Sequence, residues 1–273
     1  KITYHDFVFD KDIAWDSNTV FDATLLKSKE MGEQPTYHLA ATFDDHDMRI
    51  THVLRGYDWM SSTPIHLILY RYLGFKPPLI GHLTDIQSPE GGKLSKRRGS
   101  ISIGQLEKEG YLREAMFNFT ILLGWAPKDN RELFSLDEFV KIFDPKGLQK
   151  ANPTFNFQKL DWFNAQYLQA ASAEDLSALA GNELRSKGVW EDGEVRLNGE
   201  TLEKTLELLR SRIRKPGDFS TTFRAFFTDD FEYEAAAAGK FLRDTQLGNL
   251  VRGLIERYRA EPGFTLESAE KHL

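Results

Sequence analysis

Gly91-Gly92-Lys93-Leu94-Ser95-Lys96-Arg97-Arg98-Gly99 is the stretch on which the reading of this chain turns. Two lysines bracket a small hydroxyl residue, two arginines follow, and glycines stand on both sides. The backbone can therefore bend sharply and bring several cations onto one anion. That is the outline of a phosphate-handling loop. A second reading stays open beside it, because a basic turn after Ser88-Pro89-Glu90 is also what a solvated surface loop looks like. A Walker A loop is excluded: Gly92-Lys93 is followed by Leu94 rather than Ser or Thr, and Gln87 stands where the first glycine is needed.

Outward from the loop, residues 36 to 83 alternate in an α/β pattern. A short buried strand is expected at Ile50-Thr51-His52-Val53-Leu54 and another near Leu79-Ile80-Gly81-His82-Leu83. Between them Thr63-Pro64 opens a helix whose apolar face is Ile65, Leu67, Ile68, Leu69, Tyr72 and Leu73. Ligands of open parallel sheets collect beyond the carboxyl ends of the strands, and Arg55-Gly56 sits there. Arg55 is the first candidate for substrate recognition, since a guanidinium holds a carboxylate through two parallel hydrogen bonds; a surface ion pair is the alternative. Asp44-Asp45-His46-Asp47 invites a metal reading, but consecutive side chains diverge and no second ligand cluster is in view.

Residues 1 to 35 mix strand-prone runs, Phe7-Val8-Phe9 and Val20 to Leu26, with turn material. Beyond the loop the pattern is helical. Helices are expected from Ser102, over Leu112 to Leu123, from Ser135-Leu136-Asp137-Glu138, and over Phe157 to Leu168, where Trp162 and Phe163 read as core. Leu202, Leu206, Leu209 and Ile213 share one helical face, and Leu247, Leu250, Val251, Leu254, Ile255 and Tyr258 share another. Arg210, Arg212, Arg214 and Lys215 cluster at a helix end, where they suit either the helix dipole or an RNA backbone.

In bulk this is a 273-residue chain with formal charge −6 and no cysteine, which excludes disulfides, thiolate zinc sites and indiscriminate nucleic-acid binding. No apolar run approaches membrane-helix length and no signal-peptide pattern is present, so the expected location is the cytoplasm. The opening Lys1-Ile2-Thr3-Tyr4, without methionine, is expected to lie inside a longer polypeptide.

Lys93-Leu94-Ser95-Lys96-Arg97 resembles the "KMSKS" signature of class I aminoacyl-tRNA synthetases. The order of Pro35-Thr36-Tyr37-His38-Leu39-Ala40, Asp44-Asp45-His46, Ile50-Thr51-His52-Val53-Leu54-Arg55-Gly56 and Trp59-Met60-Ser61-Ser62-Thr63-Pro64 ahead of it resembles bacterial-type glutamyl-tRNA synthetases, as does Gly110-Tyr111-Leu112 running to Leu122-Leu123-Gly124-Trp125 behind it. The resemblance implies an α/β plus all-α chain. Residues 1–35 would be the tail of the acceptor-end-binding insertion, and 36–106 the second half of a Rossmann-type catalytic fold. A stem-contact helical region, 107–172, and a helical anticodon-binding domain, 173–273, would follow.

By the same resemblance Lys96 contacts the ATP phosphates and Lys93 and Arg97 shape the loop, the three forming the catalytic set. Tyr37 and Arg55 bind glutamate, Asp58 meets the ATP ribose, and His82 and Leu83 offer backbone groups to adenine. Tyr37 also reads as a core aromatic. The implied partners are ATP with Mg2+, L-glutamate and tRNA-Glu, for a monomer without a protein-bound metal. Two departures weaken polar contacts: Tyr57-Asp58 replaces a common acidic pair, and Ala41 replaces a common Asn. None of the seven histidines has a His-x-Gly-His setting, which the family needs for activation, so the chain alone is expected to be inactive. The rivals are a non-catalytic tRNA-binding or structural piece, a glutamyl-queuosine synthetase relative, against which the helical region past Ser172 speaks, and an unrelated kinase-like enzyme.

Overall fold

The computed structural model describes residues 1–94, 102–191, 199–243 and 246–260. It opens with a hairpin, β1 (Ile2–Asp6) against β2 (Lys11–Trp15), in register from Ile2↔Trp15 to Asp6↔Lys11. The expected strand Phe7-Val8-Phe9 is instead the turn of this hairpin. The buried Asp6 carboxylate accepts the N–H groups of Val8 and Phe9, both at 3.0 Å, and folds the chain back. Val20 to Leu26 is likewise no strand: only Leu26 bridges, to Pro35, with Thr36 N–H donating to Leu25 at 2.8 Å.

Helix α1 (Tyr37–Asp47) leads into β3 (His52–Gly56), a 3-10 turn over Tyr57–Ser62, α2 (Thr63–Leu73) and β4 (Leu79–Leu83). Pro64 occupies the first turn of α2, and Gly74, at φ 70°, ends it in the left-handed region. The four strands form one mixed sheet in the order β2-β1-β4-β3. β3 and β4 run parallel from His52↔Leu79 to Gly56↔Leu83, and β1 joins β4 in parallel at Asp6↔Ile80. Gly81 is where the hairpin turn crosses β4, since a Cβ there would lie 2.6 Å from Val8 and 2.8 Å from the Phe7 ring.

The base of the basic loop is a small hairpin. Gln87 bridges Lys93, Ser88 N–H donates to Gly92 at 2.8 Å, and Leu94 N–H donates to Ile86 at 2.8 Å. Gly91 and Gly92 sit at φ 92° and 78°, which only glycine adopts without strain. The same Gln87 pairs with Thr154 ahead of α6, so the loop is tied to the helical half.

That half packs in two apolar cores. In the first, α3 (Ile103–Lys108), α4 (Arg113–Gly124) and α6 (Phe157–Ala170) join Leu106, Phe119, Leu123, Leu160 and Phe163. α5 (Leu136–Ile142) opens with a full capping box between Ser135 and Glu138. In the second, α7 (Ala173–Ser186), α8 (Gly199–Leu209) and α9 (Gly217–Ser220) close over Leu176, Leu184, Leu206, Ile213 and Phe219. The expected face Leu202, Leu206, Leu209 and Ile213 is buried here, and each fully buried side chain contributes about 1.5–3 kcal/mol. Buried Asn164 joins the two cores, accepting Leu112 N–H at 2.7 Å and donating to Arg214 O at 2.6 Å. After α10 (Ala235–Phe241), the stripe of α11 (Leu247–Ala260) forms a helix face as expected, but Leu250, Val251 and Ile255 remain exposed. No helix among the described residues is long and apolar enough to cross a membrane.

Candidate functional site

The sheet brings β1, β3 and β4 side by side, and their polar side chains meet at Arg55, the penultimate residue of β3. Its Nε donates to His82 Nε2 on β4 at 3.1 Å, one terminal nitrogen donates to His66 Nδ1 on α2 at 3.3 Å, and the other donates to Thr63 Oγ1 at 2.5 Å. Among the described residues no carboxylate lies within ion-pair distance of it, which removes the surface ion-pair alternative. Burial draws the guanidinium down from its ordinary value, yet arginine remains charged. The result is a partly buried cation whose contacts are all neutral acceptors.

Arg55 lies on a cavity of about 210 Å³ whose wall includes Tyr37, Ala41, Asp45, His66 and Tyr70. Tyr37, 49 % exposed, is not the core aromatic of the alternative reading; its ring packs against Trp59 at 4.7 Å, tilted by 43°, near the guanidinium. Across the cavity the Tyr70 hydroxyl is buried without a hydrogen-bond partner among the described residues. Burial and the nearby Asp45 carboxylate push it up to about 12. Burial also raises Asp45. Ala41 gives this wall no polar group, in keeping with its departure from the common Asn. His46, from the acidic run, stacks on Phe75 at 3.6 Å.

His82 is fully buried, and its Nδ1 lies 2.7 Å from Asp6 Oδ2. Its backbone N–H also approaches Asp6, at 3.4 Å, so both donors that this residue offers are directed inward. Leu83, half-buried, is the last residue of β4. Asp58, on the 3-10 turn after β3, pairs with Lys93, which also meets Asp85 at 2.8 Å; these contacts raise the lysine. Lys93 thereby fastens the start of the basic loop to the carboxyl end of the sheet. Lys96 and Arg97 lie outside the described residues.

The four cations of the proposed RNA patch separate into two kinds. Arg210, just past the end of α8, donates to the carbonyls of Gln169 at 3.0 Å and Ala171 at 2.7 Å and to Glu207, capping α6. Lys215 sits 4.0 Å over the Tyr111 ring and 3.2 Å from Asp161. Arg212 and Arg214 are exposed and carry no such side-chain contact among the described residues. Trp162, expected in the core, is 41 % exposed, while its neighbour Phe163 is fully buried. It lines a polar cleft of about 420 Å³ with Gln158, Gln169 and Arg214.

The family described as tRNA synthetases class I (E and Q), catalytic domain, matches residues 2–162, from β1 through the front of α6. The chain belongs to this family. Among curated relatives it is 38% identical over 264 residues to the glutamate–tRNA ligase of Dehalococcoides mccartyi, covering 96% of this chain and 53% of that protein. It is 37% identical over 271 residues to glutamate–tRNA ligase 2 of Koribacter versatilis, covering 99% and 55%. Among solved structures, a glutamate tRNA ligase from Elizabethkingia meningosepticum in complex with its amino acid superposes with a TM-score of 0.85 at 32% identity, covering 99% of this chain and 55% of that one. The chain therefore spans about half the length of the relatives it matches.

For a class I synthetase, the signals that sequence reading missed are Asp6, His66 and His38. Asp6 lies far in sequence from Arg55, and His66 and His38 sit on neighbouring helices, so that the sheet and the α1–α2 pair bring the three together. The paired acid of the hairpin turn, Asp6-Phe7-Val8, was the one local hint, as an aspartate able to bind its own following backbone.

Proposed function

We propose that these residues serve a glutamate–tRNA ligase, which activates L-glutamate with ATP and joins it to tRNA-Glu. The supporting observation is the partly buried Arg55, held by neutral acceptors and facing a cavity with Tyr37. Such a cation gains most from a carboxylate brought in by a ligand, because a charge-assisted pair in a desolvated site is worth far more than one in water. In activation, the glutamate α-carboxylate attacks the α-phosphate of ATP; transfer to a terminal ribose hydroxyl of the tRNA follows. Lys96 stabilises charge on the departing pyrophosphate, and Lys93 and Arg97 shape the loop around it. Asp58 and, at the carboxyl end of β4, Leu83 face the nucleotide, while the N–H donors of His82 stay on Asp6. Magnesium accompanies ATP rather than occupying a protein cage.

On this reading residues 1–35 belong to the acceptor-end-binding insertion, 36–106 to the nucleotide-binding fold, 107–172 to a stem-contact region and 173–273 to a helical anticodon-binding domain. The helical packing of the described residues between 103 and 260 supports the last two assignments. No His-x-Gly-His motif occurs in the sequence, so the 273 residues alone are expected to give no ATP–pyrophosphate exchange with glutamate and tRNA. Robust exchange would overturn that part of the proposal. In an intact ligase carrying these residues, Arg55→Lys is expected to weaken glutamate by roughly 1.5 to 3 kcal/mol while ATP binding persists. Lys96→Ala is expected to lower kcat about 10²-fold or more with little change in the glutamate KM. Normal glutamate kinetics in Arg55→Lys would sink the assignment of the cavity.

A further inference from the structure

Arginine only donates, and that fixes the protonation of everything around Arg55. His82 Nε2 accepts from Arg55 Nε, so the His82 proton sits on Nδ1 and is donated to Asp6 at 2.7 Å. His66 Nδ1 accepts from the other side, so its proton sits on Nε2 and is donated to His38 Nδ1 at 2.9 Å. Thr63 Oγ1 accepts from the guanidinium and lies 3.4 Å from His82 Nε2. A continuous hydrogen-bonded line thus runs from β1 through β4, β3 and α2 to α1. It uses three of the five guanidinium donors.

We infer that Asp6, His82, His66 and His38 are positioning residues that clamp Arg55 from both flanks and leave its remaining donors for the carboxylate of the substrate. The inference rests on the reading of the cavity as the glutamate site and goes beyond it. Asp6 fixes the far end of the line one imidazole away, while the carboxylate whose charge reaches the guanidinium is Asp45 on the cavity wall, which does not contact it. Asp6 anchors the line because its Oδ1 accepts Val8 and Phe9 N–H while its Oδ2 accepts from His82 and from Tyr4 at 3.2 Å. The arrangement distinguishes an acid from an amide: a carboxylate only accepts from the free donors, whereas an amide N–H₂ turned toward them meets donor with donor.

The chemistry makes an asymmetric prediction for Asp6→Asn. The two backbone N–H groups require an oxygen at the Oδ1 position, so the amide nitrogen is forced to the position facing His82 Nδ1. His82 must then carry its proton on Nε2, pointing it at Arg55 Nε–H, and the two donors repel. A single-atom change remote from the cavity reverses a tautomer, as in the aspartate-to-asparagine change of the Ser-His-Asp triad.

The test uses an intact ligase carrying these residues, labelled with ¹⁵N at histidine. Long-range ¹H–¹⁵N spectra at neutral pH are expected to show His82 as the Nδ1–H form and His66 as the Nε2–H form, with His82 switched in Asp6→Asn. That variant and His66→Leu are each expected to raise the glutamate KM about tenfold or more with the ATP KM little changed, whereas His66→Gln, which restores an acceptor, stays within about threefold of wild type. The opposite tautomers in wild type, or equal effects of His66→Leu and His66→Gln, would overturn the inference. Normal glutamate KM in Asp6→Asn and His66→Leu together with an impaired Arg55→Lys would overturn the clamp alone and leave the glutamate site standing. A normal Arg55→Lys would overturn the glutamate reading and the clamp with it.

Discussion

Arg55 and Arg210 are both partly buried arginines that bind several acceptors, yet they have opposite uses. Arg210 meets two backbone carbonyls at the end of α6 and the carboxylate of Glu207, so its charge is answered within the helical half. Arg55 meets two imidazoles and a hydroxyl, Asp6 stands one ring away behind His82, and the Asp45 charge reaches it across the cavity without contact. What a cation can still do for a ligand is decided by what already holds it. The contrast also divides the molecule, since the sheet half buries polar groups around a cavity while the helical half buries Leu and Phe and uses its charges at the rim.

Arg210→Ala breaks this comparison most directly. Removing a charged donor strands two carbonyls at the end of α6, and the expected loss is about 2 to 3 kcal/mol of stability with glutamate binding unaffected. Denaturant unfolding of the variant beside Arg55→Ala checks it. If Arg55→Ala proves the more destabilising of the two, the division between a ligand-directed and a structural arginine fails.

The imidazoles at Arg55 give the next effect, through pH. Burial, and then the charge of Arg55, hold His66 down at about 4, below its unfolded value near 6.5. Between those values the unfolded chain binds the extra proton and the folded chain does not, so stability from this group is fully present above about 6.5 and is lost as pH falls toward 4. The loss is on the order of 2 kcal/mol. Burial lowers His82 in the same direction. Unfolding free energies at neutral pH and near pH 4.5 are expected to differ less in His66→Gln than in wild type; an identical difference would mean that His66 carries no linkage.

Much of the local structure was legible. Thr63-Pro64 announced α2, Ser135 with Glu138 announced α5, and Leu79 to Leu83 is β4 as expected from its apolar run. These signals act within one turn or one strand, where periodicity and capping speak directly. Arg55 was legible as a candidate because it follows a strand-like run before Gly56, although that run is not buried as expected: the strand is His52–Gly56, and Ile50 and Leu54 are exposed at its edge of the sheet. The partners of Arg55 were not legible, since Asp6 and His82 are 76 positions apart and no local pattern records a parallel pairing at Asp6↔Ile80. Phe7-Val8-Phe9 misled for a related reason: composition favoured a strand, while the Asp6 carboxylate imposed a turn. In the same way, adjacency joined Arg210, Arg212, Arg214 and Lys215 into one patch, although the carbonyls and ring that engage two of them come from other elements.

Lys215 gives a smaller effect than either histidine or Arg210. Its ammonium lies over Tyr111 and beside Asp161 at a partly open position, where cation–π contact and an ion pair together are worth about 1 kcal/mol. Lys215→Met keeps the stem and removes both. The expected outcome is a lowering of thermal stability by a few degrees at most and no change in the salt dependence of RNA binding. A lowered salt slope would return Lys215 to the RNA-facing group.

Arg212 and Arg214 are the other side of that division, and their stability effect is expected to be the smallest. Both are exposed without a side-chain contact among the described residues, so alanine at either position should change stability by no more than about 0.5 kcal/mol. Arg214 also borders the cleft that holds the half-exposed Trp162, which places a free guanidinium beside an aromatic surface. If these two cations face the phosphates of a bound tRNA, each removal should weaken binding across sequences and lower the salt slope by about one unit. The chain carries a formal charge of −6, so this attraction is local and should fade steeply as salt rises. Gel-shift titrations of wild type and Arg214→Ala at two salt concentrations separate the outcomes. Equal slopes with equal stability would make Arg214 a solvated residue only; a lowered slope at unchanged stability would confine RNA contact at this turn to the two arginines that the fold leaves unengaged.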